Sequence, residues 1–215
     1  MTLESFFYAY LWGMVILGVG IFITLQFITP AYGMTYNNRW GASISSRWGW
    51  LIMETPVFVI MLIIYLNSLL TGVKPFNIVT FIFLLIFQTH YLQRSFIFPA
   101  LMKGQSRMPL SIMFAGIFFN ASNAFIQGGW LFMFAPANAY PISWFWSPQF
   151  IIGCVLFFIG MVINIKSDRI IRKLRKSRDD NNYYLPQGFL FKYINSSNYF
   201  GEIIEWIGFA ILTWS

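Results

Sequence analysis

Long apolar stretches separated by short polar ones form the main pattern of the chain. No charged residue lies between Glu4 and Arg39, and none lies between Arg107 and Lys166. A charge at the centre of a bilayer costs about 3 kcal/mol on insertion scales, so these gaps mark candidate membrane spans. Each span needs about 20 mostly apolar residues in a helix. The pattern therefore predicts an all-α fold, a polytopic membrane helix bundle.

Six membrane spans fit the pattern. The uncharged region 108–165 is too long for one helix, and we divide it at Pro136, Pro141 and Pro148, because proline disfavours helix interiors. The predicted spans are residues 8–28, 49–70, 76–98, the two halves of 108–165, and 199–215. We expect residues 1–215 to form a single membrane domain.

Basic residues are concentrated in alternate predicted loops, and only Lys74 lies in an even-numbered loop. The bases of the first, third and fifth loops are Arg39, Arg47, Arg94, Lys103, Arg107, Lys166, Arg169, Arg172, Lys173, Arg175, Lys176, Arg178 and Lys192. Cytosolic loops of membrane proteins carry an excess of Lys and Arg. We therefore expect an integral multi-pass protein with its N-terminus outside and loop five in the cytosol.

The composition excludes a soluble enzyme. The chain is 58% hydrophobic and only 10% charged, whereas about a quarter of the residues in a soluble domain are charged. The net charge of +7 follows from the cytosolic loops, so we expect membrane lipids as partners and no nucleic acid. The glycine-rich motifs of Rossmann and P-loop sites are absent, as is the Gly-x-Ser-x-Gly nucleophile motif. A nucleotide would have to bind among the helices.

The few polar residues of the predicted spans lie near one face of the membrane. Glu54 and Tyr91 each lie about one turn inside the cytosolic end of a span. Asn164 and Asp168 lie at the cytosolic end of span five, and Glu202 lies near the start of span six. Acidic residues in spans are costly and usually mark a site or a pathway. Their shared depth favours one functional site.

Two of these side chains also have a structural interpretation. Glu54 could extend to the membrane interface or pair with Arg47, and Tyr91 could belong to the aromatic belt. The basic residues of loop five could similarly form a stripe along anionic headgroups. The shared depth of these polar residues favours a functional site, but it does not identify the reaction.

Polar residues deeper in the bundle have less specific signals. His90 is expected to hydrogen-bond within the bundle, and we expect no metal because the chain has one histidine and one cysteine, too few for a zinc site. Asn120, Asn123 and Gln127 are spaced along one side of span four. We interpret them as hydrogen-bonding groups between helices, with a pocket lining as the alternative.

Several motifs resemble one known family over most of the chain. The runs Gly160-Met-Val-Ile-Asn-Ile-Lys-Ser-Asp168, Asn198-Tyr-Phe-Gly-Glu-Ile-Ile-Glu-Trp-Ile-Gly208 and Thr213-Trp-Ser215 are similar to motifs of the steroid 5α-reductases, the 3-oxo-5α-steroid 4-dehydrogenases. Glu54-Thr-Pro56 and His90-Tyr-Leu-Gln-Arg94 look like motifs of the same family. The run around Glu202 is the most specific of them.

The resemblance implies a seven-span fold that uses NADPH to reduce the 4,5 double bond of 3-oxo-4-ene steroids. Glu54 and Tyr91 match the pair at the substrate carbonyl: Tyr91 would donate a hydrogen bond, and Glu54 is expected to support it in its protonated form. Positions matching the family's cofactor-binding residues are Asn164, Asp168, Arg175, Tyr183, Asn198 and Glu202. Arg172 joins them because a phosphate-rich dinucleotide should dock beside it and Arg175.

The same resemblance sets expectations about surroundings and completeness. The steroid would enter from the lipid of a bacterial inner membrane or an endoplasmic reticulum, and the protein would be a monomer. Family members continue past Thr213-Trp-Ser215 into a seventh span and a tail with further cofactor contacts, and a basic family position is Ala115 here. We therefore expect weaker NADPH binding than in a family member that carries these groups.

Other functions remain open from the residues alone. A related membrane reductase could act on an enoyl thioester or a sterol, and a membrane methyltransferase would use S-adenosylmethionine instead of NADPH. A small transporter could use Glu54 with Glu202 and Glu205. A transporter would be expected to have polar residues along a whole transmembrane path, whereas the polar residues here lie near one face of the membrane.

Overall fold

The computed structural model describes residues 2–177 and 179–215. Arg178, one of the loop-five bases, lies outside the described residues. Most of the described residues are helical and very few lie in strands, which confirms the predicted all-α membrane class. Its α-helices are α1 (Leu3–Thr24), α2 (Ser46–Leu70), α3 (Ile78–Tyr91), α4 (Phe98–Leu101), α5 (Leu110–Gly129), α6 (Pro148–Leu174) and α7 (Ser197–Thr213). Short 3-10 turns occupy Gly33–Thr35, Asn38–Trp40, Ile142–Trp146 and Phe189–Lys192.

Two π-helical segments extend this helical framework. The first π segment, Leu92–Ile97, joins α3 to α4, and the second, Trp130–Phe134, continues α5. At the end of the second segment the Ala135 N–H donates to the carbonyl five residues earlier at 2.8 Å. A proline follows each segment closely, Pro99 and Pro136. Since proline has no N–H to donate, the regular helical bonding changes at both places.

Four helical stretches among the described residues are long and apolar enough to cross a membrane, judged by length and composition. They are Leu3–Thr24, Ser46–Leu70, Leu110–Phe134 and Pro148–Leu174. The predicted third span is also helical, from 78 to 101, but the first π segment interrupts it. The predicted sixth span corresponds to α7, whose 17 residues lie at the short end of the range for a span.

The chain divides into two compact units. Unit 1 comprises Met1–Phe76, Tyr91–Ala100 and Ser106–Ala137. Unit 2 comprises Asn77–His90, Leu101–Gln105 and Asn138–Ser215. The predicted carbonyl pair therefore belongs to unit 1, and the predicted cofactor residues belong to unit 2.

In unit 1, α2 and α5 pack side by side and run in the same direction. The Asn120 side-chain amide donates to the Met53 carbonyl at 2.8 Å, and further along both helices the Ser68 hydroxyl donates to the Phe132 carbonyl. Equal direction is expected for spans two and four of a bundle in which successive spans alternate. The observed pairing agrees with that order.

Helix α1 packs against α5 in the opposite direction. The Phe7 and Phe134 ring centroids are 4.6 Å apart, and the Tyr10 and Ser122 hydroxyl oxygens are 2.6 Å apart. Most of the remaining α1 surface is apolar and exposed. Such a surface suits contact with lipid, in keeping with a first membrane span.

A small antiparallel sheet, which the sequence pattern did not predict, closes one end of unit 1. It pairs β1 (Ser43–Ser45) with β2 (Arg107–Pro109), with Ile44 opposite Met108. The Arg107 guanidinium also donates to the Ser43 carbonyl at 2.6 Å. Because β1 lies in predicted loop one and β2 in predicted loop three, these two loops lie on the same side of unit 1.

In unit 2, α6 and α7 are antiparallel and their backbones touch. Gly153 of α6 faces Gly208 of α7, and Gly160 faces Gly201. A Cβ placed on Gly208 would lie 2.7 Å from the Gly153 carbonyl oxygen, and one on Gly160 would lie 2.5 Å from the Gly201 carbonyl oxygen. Since a side chain does not fit there, glycine permits the close approach.

Candidate active site

Glu54 is a buried acid within the apolar helix α2. Its side chain is 8% exposed. The next residue, Thr55, donates from its hydroxyl to the Leu51 carbonyl at 2.6 Å, and Pro56 removes one backbone N–H from the helix. A helix in a membrane tolerates such a proline because side chains and neighbouring helices satisfy the released groups. The Glu-Thr-Pro motif therefore places the carboxyl beside a locally altered backbone.

Tyr91 ends α3 at the point where the first π segment begins. It is 4% exposed. One turn later, the Ser95 hydroxyl donates to the Glu54 carbonyl oxygen at 2.9 Å. Tyr91 thus lies about one helical turn from the contact between this segment and α2. Because π turns redirect side chains and are frequent at functional sites, this position suits a functional residue.

Helix α5 reaches the same region with two asparagines. The Asn123 side-chain amide donates to the Tyr91 phenol oxygen at 2.8 Å. Asn120, nearly one turn earlier, donates to the carbonyl of Met53, the residue before Glu54. The predicted hydrogen bonding of Asn120 between helices is confirmed. Asn123 has in addition a contact with the predicted catalytic tyrosine, which the sequence did not indicate.

Arg94 is buried in unit 1 among aromatic rings. Its guanidinium carbon lies 4.5 Å from the centre of the Trp50 ring and 4.7 Å from that of Phe98, and the residue is 5% exposed. Cation–π contacts stabilise a cation in apolar surroundings. Arg94 was predicted to lie in loop three, whereas it lies inside the first π segment. Without Arg94, the basic residues are still concentrated in the first, third and fifth predicted loops.

The end of α6 and the start of α7 bring predicted cofactor residues together. Asn164 is 2% exposed, and its side-chain amide donates to the Asn198 carbonyl at 3.0 Å. Asp168, 6% exposed, follows Asn164 by one turn on the same face of α6, and Glu202 follows Asn198 by one turn on α7. The structure therefore brings Asn164 into contact with Asn198, and Asp168 and Glu202 each lie one turn away along α6 and α7.

Beyond α6, the structure brings Arg175 and Tyr183 together. The Arg175 guanidinium donates to the carbonyls of Lys103 and Asn182, and its central carbon lies 5.3 Å from the centre of the Tyr183 ring. Tyr183 is half exposed. Arg172 remains in the last turn of α6. Two arginines thus stand at and just past the end of this helix.

Asp180 organises the loop that follows. Its carboxylate accepts hydrogen bonds from the N–H groups of Lys176 at 3.0 Å and Asn182 at 3.1 Å, and from the Tyr184 hydroxyl at 3.1 Å. These bonds, the one from Lys176 above all, lower the pKa of the Asp180 carboxyl because they favour its charged form. The loop at 179–182 is therefore held by side-chain hydrogen bonds.

His90 and Glu205 form a buried pair in unit 2. The His90 Nδ1 and Glu205 Oε1 atoms are 2.9 Å apart, and the Trp206 ring centroid lies 4.8 Å from that of His90. The pair joins α3 to α7. The predicted hydrogen bonding of His90 within the bundle is confirmed.

Several polar residues of these contacts were not predicted from the sequence. Ser95 bonds the Glu54 backbone, and the hydroxyl oxygens of Ser167 and Ser197 are 3.1 Å apart between α6 and α7. A serine in an apolar helix gives a weak signal because it often bonds its own helix. For Asn123, the one indication in the sequence was its position three residues after Asn120, on the same side of the predicted helix.

These features define a helical membrane protein with buried amides and acids at its helix contacts. Residues 106–215 match the family model described as 3-oxo-5-alpha-steroid 4-dehydrogenase. The chain therefore belongs to the 3-oxo-5α-steroid 4-dehydrogenase family, the steroid 5α-reductases, as the motifs around Asn164 and Glu202 predicted.

Relatives from animals and plants match nearly the whole chain. The 3-oxo-5-alpha-steroid 4-dehydrogenase 1 of Bos taurus is 34% identical over 93% of this chain and 76% of its own length. The corresponding protein of Homo sapiens is 34% identical over 92% of this chain and 74% of its own. The steroid 5-alpha-reductase DET2 of Solanum lycopersicum is 33% identical over 99% and 80%. The similarity thus extends through both units.

Proposed function

We propose that the chain catalyses the NADPH-dependent reduction of the 4,5 double bond of 3-oxo-4-ene steroids. The observation that carries this proposal is the burial of both Glu54, on the apolar helix α2, and Tyr91, at the end of α3, in a chain of a family whose members are named for this reaction. A rigid apolar steroid suits an apolar helical surrounding in which a few polar groups fix its orientation.

Tyr91 and Glu54 would act on the 3-oxo group. During hydride addition to the carbon β to the carbonyl, negative charge develops on the carbonyl oxygen. The Tyr91 hydroxyl donates a hydrogen bond to this oxygen, and Glu54 in its protonated form supports it. Removing one such donor typically costs about 10²–10³ in turnover.

The predicted cofactor residues of unit 2 fit NADPH by their chemistry. The Asp168 and Glu202 carboxyls accept hydrogen bonds from hydroxyl or amide groups, and the Asn164 amide both donates and accepts. Arg172 and Arg175, at the end of α6, suit charge-assisted bonds to phosphate. When bound, NADPH supplies the hydride.

Tyr183 and Asn198 would hold other members of this set in place. The Tyr183 ring steadies the Arg175 guanidinium through a cation–π contact. The Arg175 guanidinium has five N–H donors and a fixed charge, which suit a phosphate, and two of these donors bond loop carbonyls among the described residues. The Asn198 carbonyl fixes the orientation of the Asn164 amide.

The proposal includes a definite membrane orientation. The N-terminus lies outside, the odd-numbered loops lie in the cytosol, and NADPH reaches unit 2 from the cytosol. The steroid enters from the lipid of a bacterial inner membrane or an endoplasmic reticulum, and the protein acts as a monomer. The excess of basic residues in the odd-numbered loops supports this orientation.

The test is an assay on the purified chain in lipid nanodiscs with NADPH and a 3-oxo-4-ene steroid. We expect steroid-dependent oxidation of NADPH and a product that has gained two hydrogens at the 4,5 bond, detected by mass spectrometry. Oxidation of NADPH only with an enoyl thioester or a sterol would assign another substrate. Methyl transfer from S-adenosylmethionine without NADPH oxidation would overturn the proposal.

A further inference from the structure

The phenol oxygen of Tyr91 receives a hydrogen bond from a neighbouring helix. The donor is the side-chain amide nitrogen of Asn123, at 2.8 Å. Tyr91 is buried and Asn123 is half-buried, so water competes little for this bond. Asn123 has no place in the mechanism derived above.

A phenol hydroxyl can accept hydrogen bonds through its oxygen, but it has one hydrogen to donate. An amide N–H that occupies the acceptor side leaves this hydrogen to point away from Asn123. Hydrogen bonds in a chain also polarise one another, and a phenol that accepts a bond becomes a better donor. The contact therefore sets both the direction and the strength of the Tyr91 donor.

Asn123 is itself held in register. Asn120, nearly one turn earlier on α5, donates to the Met53 carbonyl of α2 at 2.8 Å. The Ser95 hydroxyl ties the first π segment, which begins directly after Tyr91, to the Glu54 carbonyl of α2. Both Tyr91 and Asn123 are thus fixed relative to the same turn of α2, next to Glu54.

We propose that Asn123 is a positioning residue that holds the Tyr91 hydroxyl as a donor to the 3-oxo group of the substrate. This inference rests on the proposed function. Asn123 acts through Tyr91 and needs no contact with the steroid. Its effect therefore appears in turnover rather than in steroid binding, because the bond to the carbonyl oxygen strengthens as negative charge develops there.

Two substitutions separate the chemistry of the amide from its shape. N123L keeps a similar size and removes the donor, and we expect kcat to fall about 10-fold with the steroid KM changed less than 3-fold. N123D keeps the shape, but an ionised carboxylate only accepts hydrogen bonds and would draw the Tyr91 hydrogen toward itself. We expect N123D to lower kcat at least as much as N123L.

A double-mutant cycle with Tyr91 tests whether Asn123 acts through the hydroxyl. In the Y91F background this hydroxyl is absent, so N123L should cause little further loss of kcat. Residues that act as one unit are non-additive in this way, whereas a general packing defect would add its own loss. S122A is the matched control: it removes a hydroxyl from the same helix that bonds Tyr10, and it should keep wild-type turnover.

The outcomes are distinguishable. Full turnover in N123L, or an equal fold-loss from N123L in the wild-type and Y91F backgrounds, would overturn this inference alone. If the wild-type chain shows no steroid-dependent NADPH oxidation, the proposed function fails and this inference fails with it. A 10-fold loss in N123L that disappears in the Y91F background supports the positioning role.

Discussion

A buried carboxyl and a buried phenol in apolar helices are costly, because each loses its hydration. Tyr91 recovers part of this cost through the bond from Asn123. The Ser95 hydroxyl donates a hydrogen bond to the backbone carbonyl of Glu54, and the Asn120 side-chain amide donates one to the backbone carbonyl of the preceding residue, Met53. Two different helical segments thus fix the turn that carries Glu54. This degree of fixing is what a polar pair needs to meet one atom of a substrate.

The individual roles of this pair can be tested by single substitutions. We expect Y91F and E54L each to lower turnover of a 3-oxo-4-ene steroid by about 10²-fold, the typical effect of losing one transition-state donor, because Phe lacks the phenol hydroxyl and Leu lacks the carboxyl group. Binding of NADPH, measured by fluorescence titration, should change little, because neither residue is among the predicted cofactor-binding residues. Near-normal turnover in both variants would contradict the assignment.

Asp180 gives the loop after α6 a predictable dependence on pH. Its hydrogen bonds lower the pKa below the ordinary value of 3.8, so they stabilise the loop fully above that value and are lost as the pH falls through the lowered pKa. Hydrogen exchange at the Lys176 and Asn182 amides should accelerate over that interval beyond the intrinsic trend. In D180N both amides should exchange faster than in wild type near neutral pH. The account is wrong if D180N shows the same additional pH response as the wild-type chain.

The candidate residues could be found in the sequence for two separate reasons. Charged and polar residues are rare in the spans, so Glu54 and Asp168 stood out by their cost and shared depth. The roles came from the resemblance of the motifs to the family. The hydrogen bond from Asn123 to Tyr91 could not be predicted in this way. It depends on which side of α5 faces Tyr91, a residue 32 positions earlier in the chain.

At the scale of helices, the contact between α6 and α7 is set by backbone approach. The glycine pairs Gly153 with Gly208 and Gly160 with Gly201 leave no room for side chains. The same close contact brings the Asn164 amide to the Asn198 carbonyl. The placement of Asn164 and Asn198 therefore depends on the small residues that let the two helices approach.

Replacing one of these glycines by alanine tests this dependence. In G160A the added methyl would overlap the α7 backbone near Gly201, so we expect a loss of about 1–3 kcal/mol in stability and weaker NADPH binding. G18A is the matched control, because nothing lies within 4 Å of the corresponding position in α1, and alanine favours a helix over glycine. Thermal unfolding in detergent and NADPH titration measure both effects. Equal behaviour of the two variants would contradict the close contact.

The uncharged stretches of the sequence predicted where the long helices lie, but they did not predict where the regular helical structure is interrupted. The predicted ends of span two, at residues 49 and 70, lie within a few residues of the observed α2. The π segments and the sheet were not predicted, because both depend on hydrogen bonds between distant or altered backbone positions. Arg94 was assigned to a loop because a buried arginine is rare, and its burial requires the Trp50 and Phe98 rings.

For the whole chain, the proposed orientation in the membrane rests on the distribution of a few cations. Lys74, the exception in an even-numbered loop, donates to the Ala135 carbonyl at the end of the second π segment. Burial lowers the pKa of its ammonium group. This base therefore has a local hydrogen-bonding role, so its place in a predicted even-numbered loop does not weaken the positive-inside argument.

Cysteine labelling tests the orientation directly. Cys154 is the one cysteine of the chain, so a C154A background allows single reporters. We expect a membrane-impermeant thiol reagent to reach K74C and K176C from opposite sides of the membrane, with K74C labelled from outside. Labelling of both variants from the same side would contradict the orientation and the argument from shared depth.

Transfer of a labelled hydride tests the central claim most directly. The wild-type chain would be supplied with NADPH carrying deuterium at the transferable position of its nicotinamide ring, together with a 3-oxo-4-ene steroid. If NADPH reduces the 4,5 double bond, we expect a product with an intact 3-oxo group and one deuterium at carbon 5, the carbon β to the original enone carbonyl. Deuterium at the carbonyl carbon, with an alcohol as product, or NADPH oxidation without deuterium in the steroid, would contradict it.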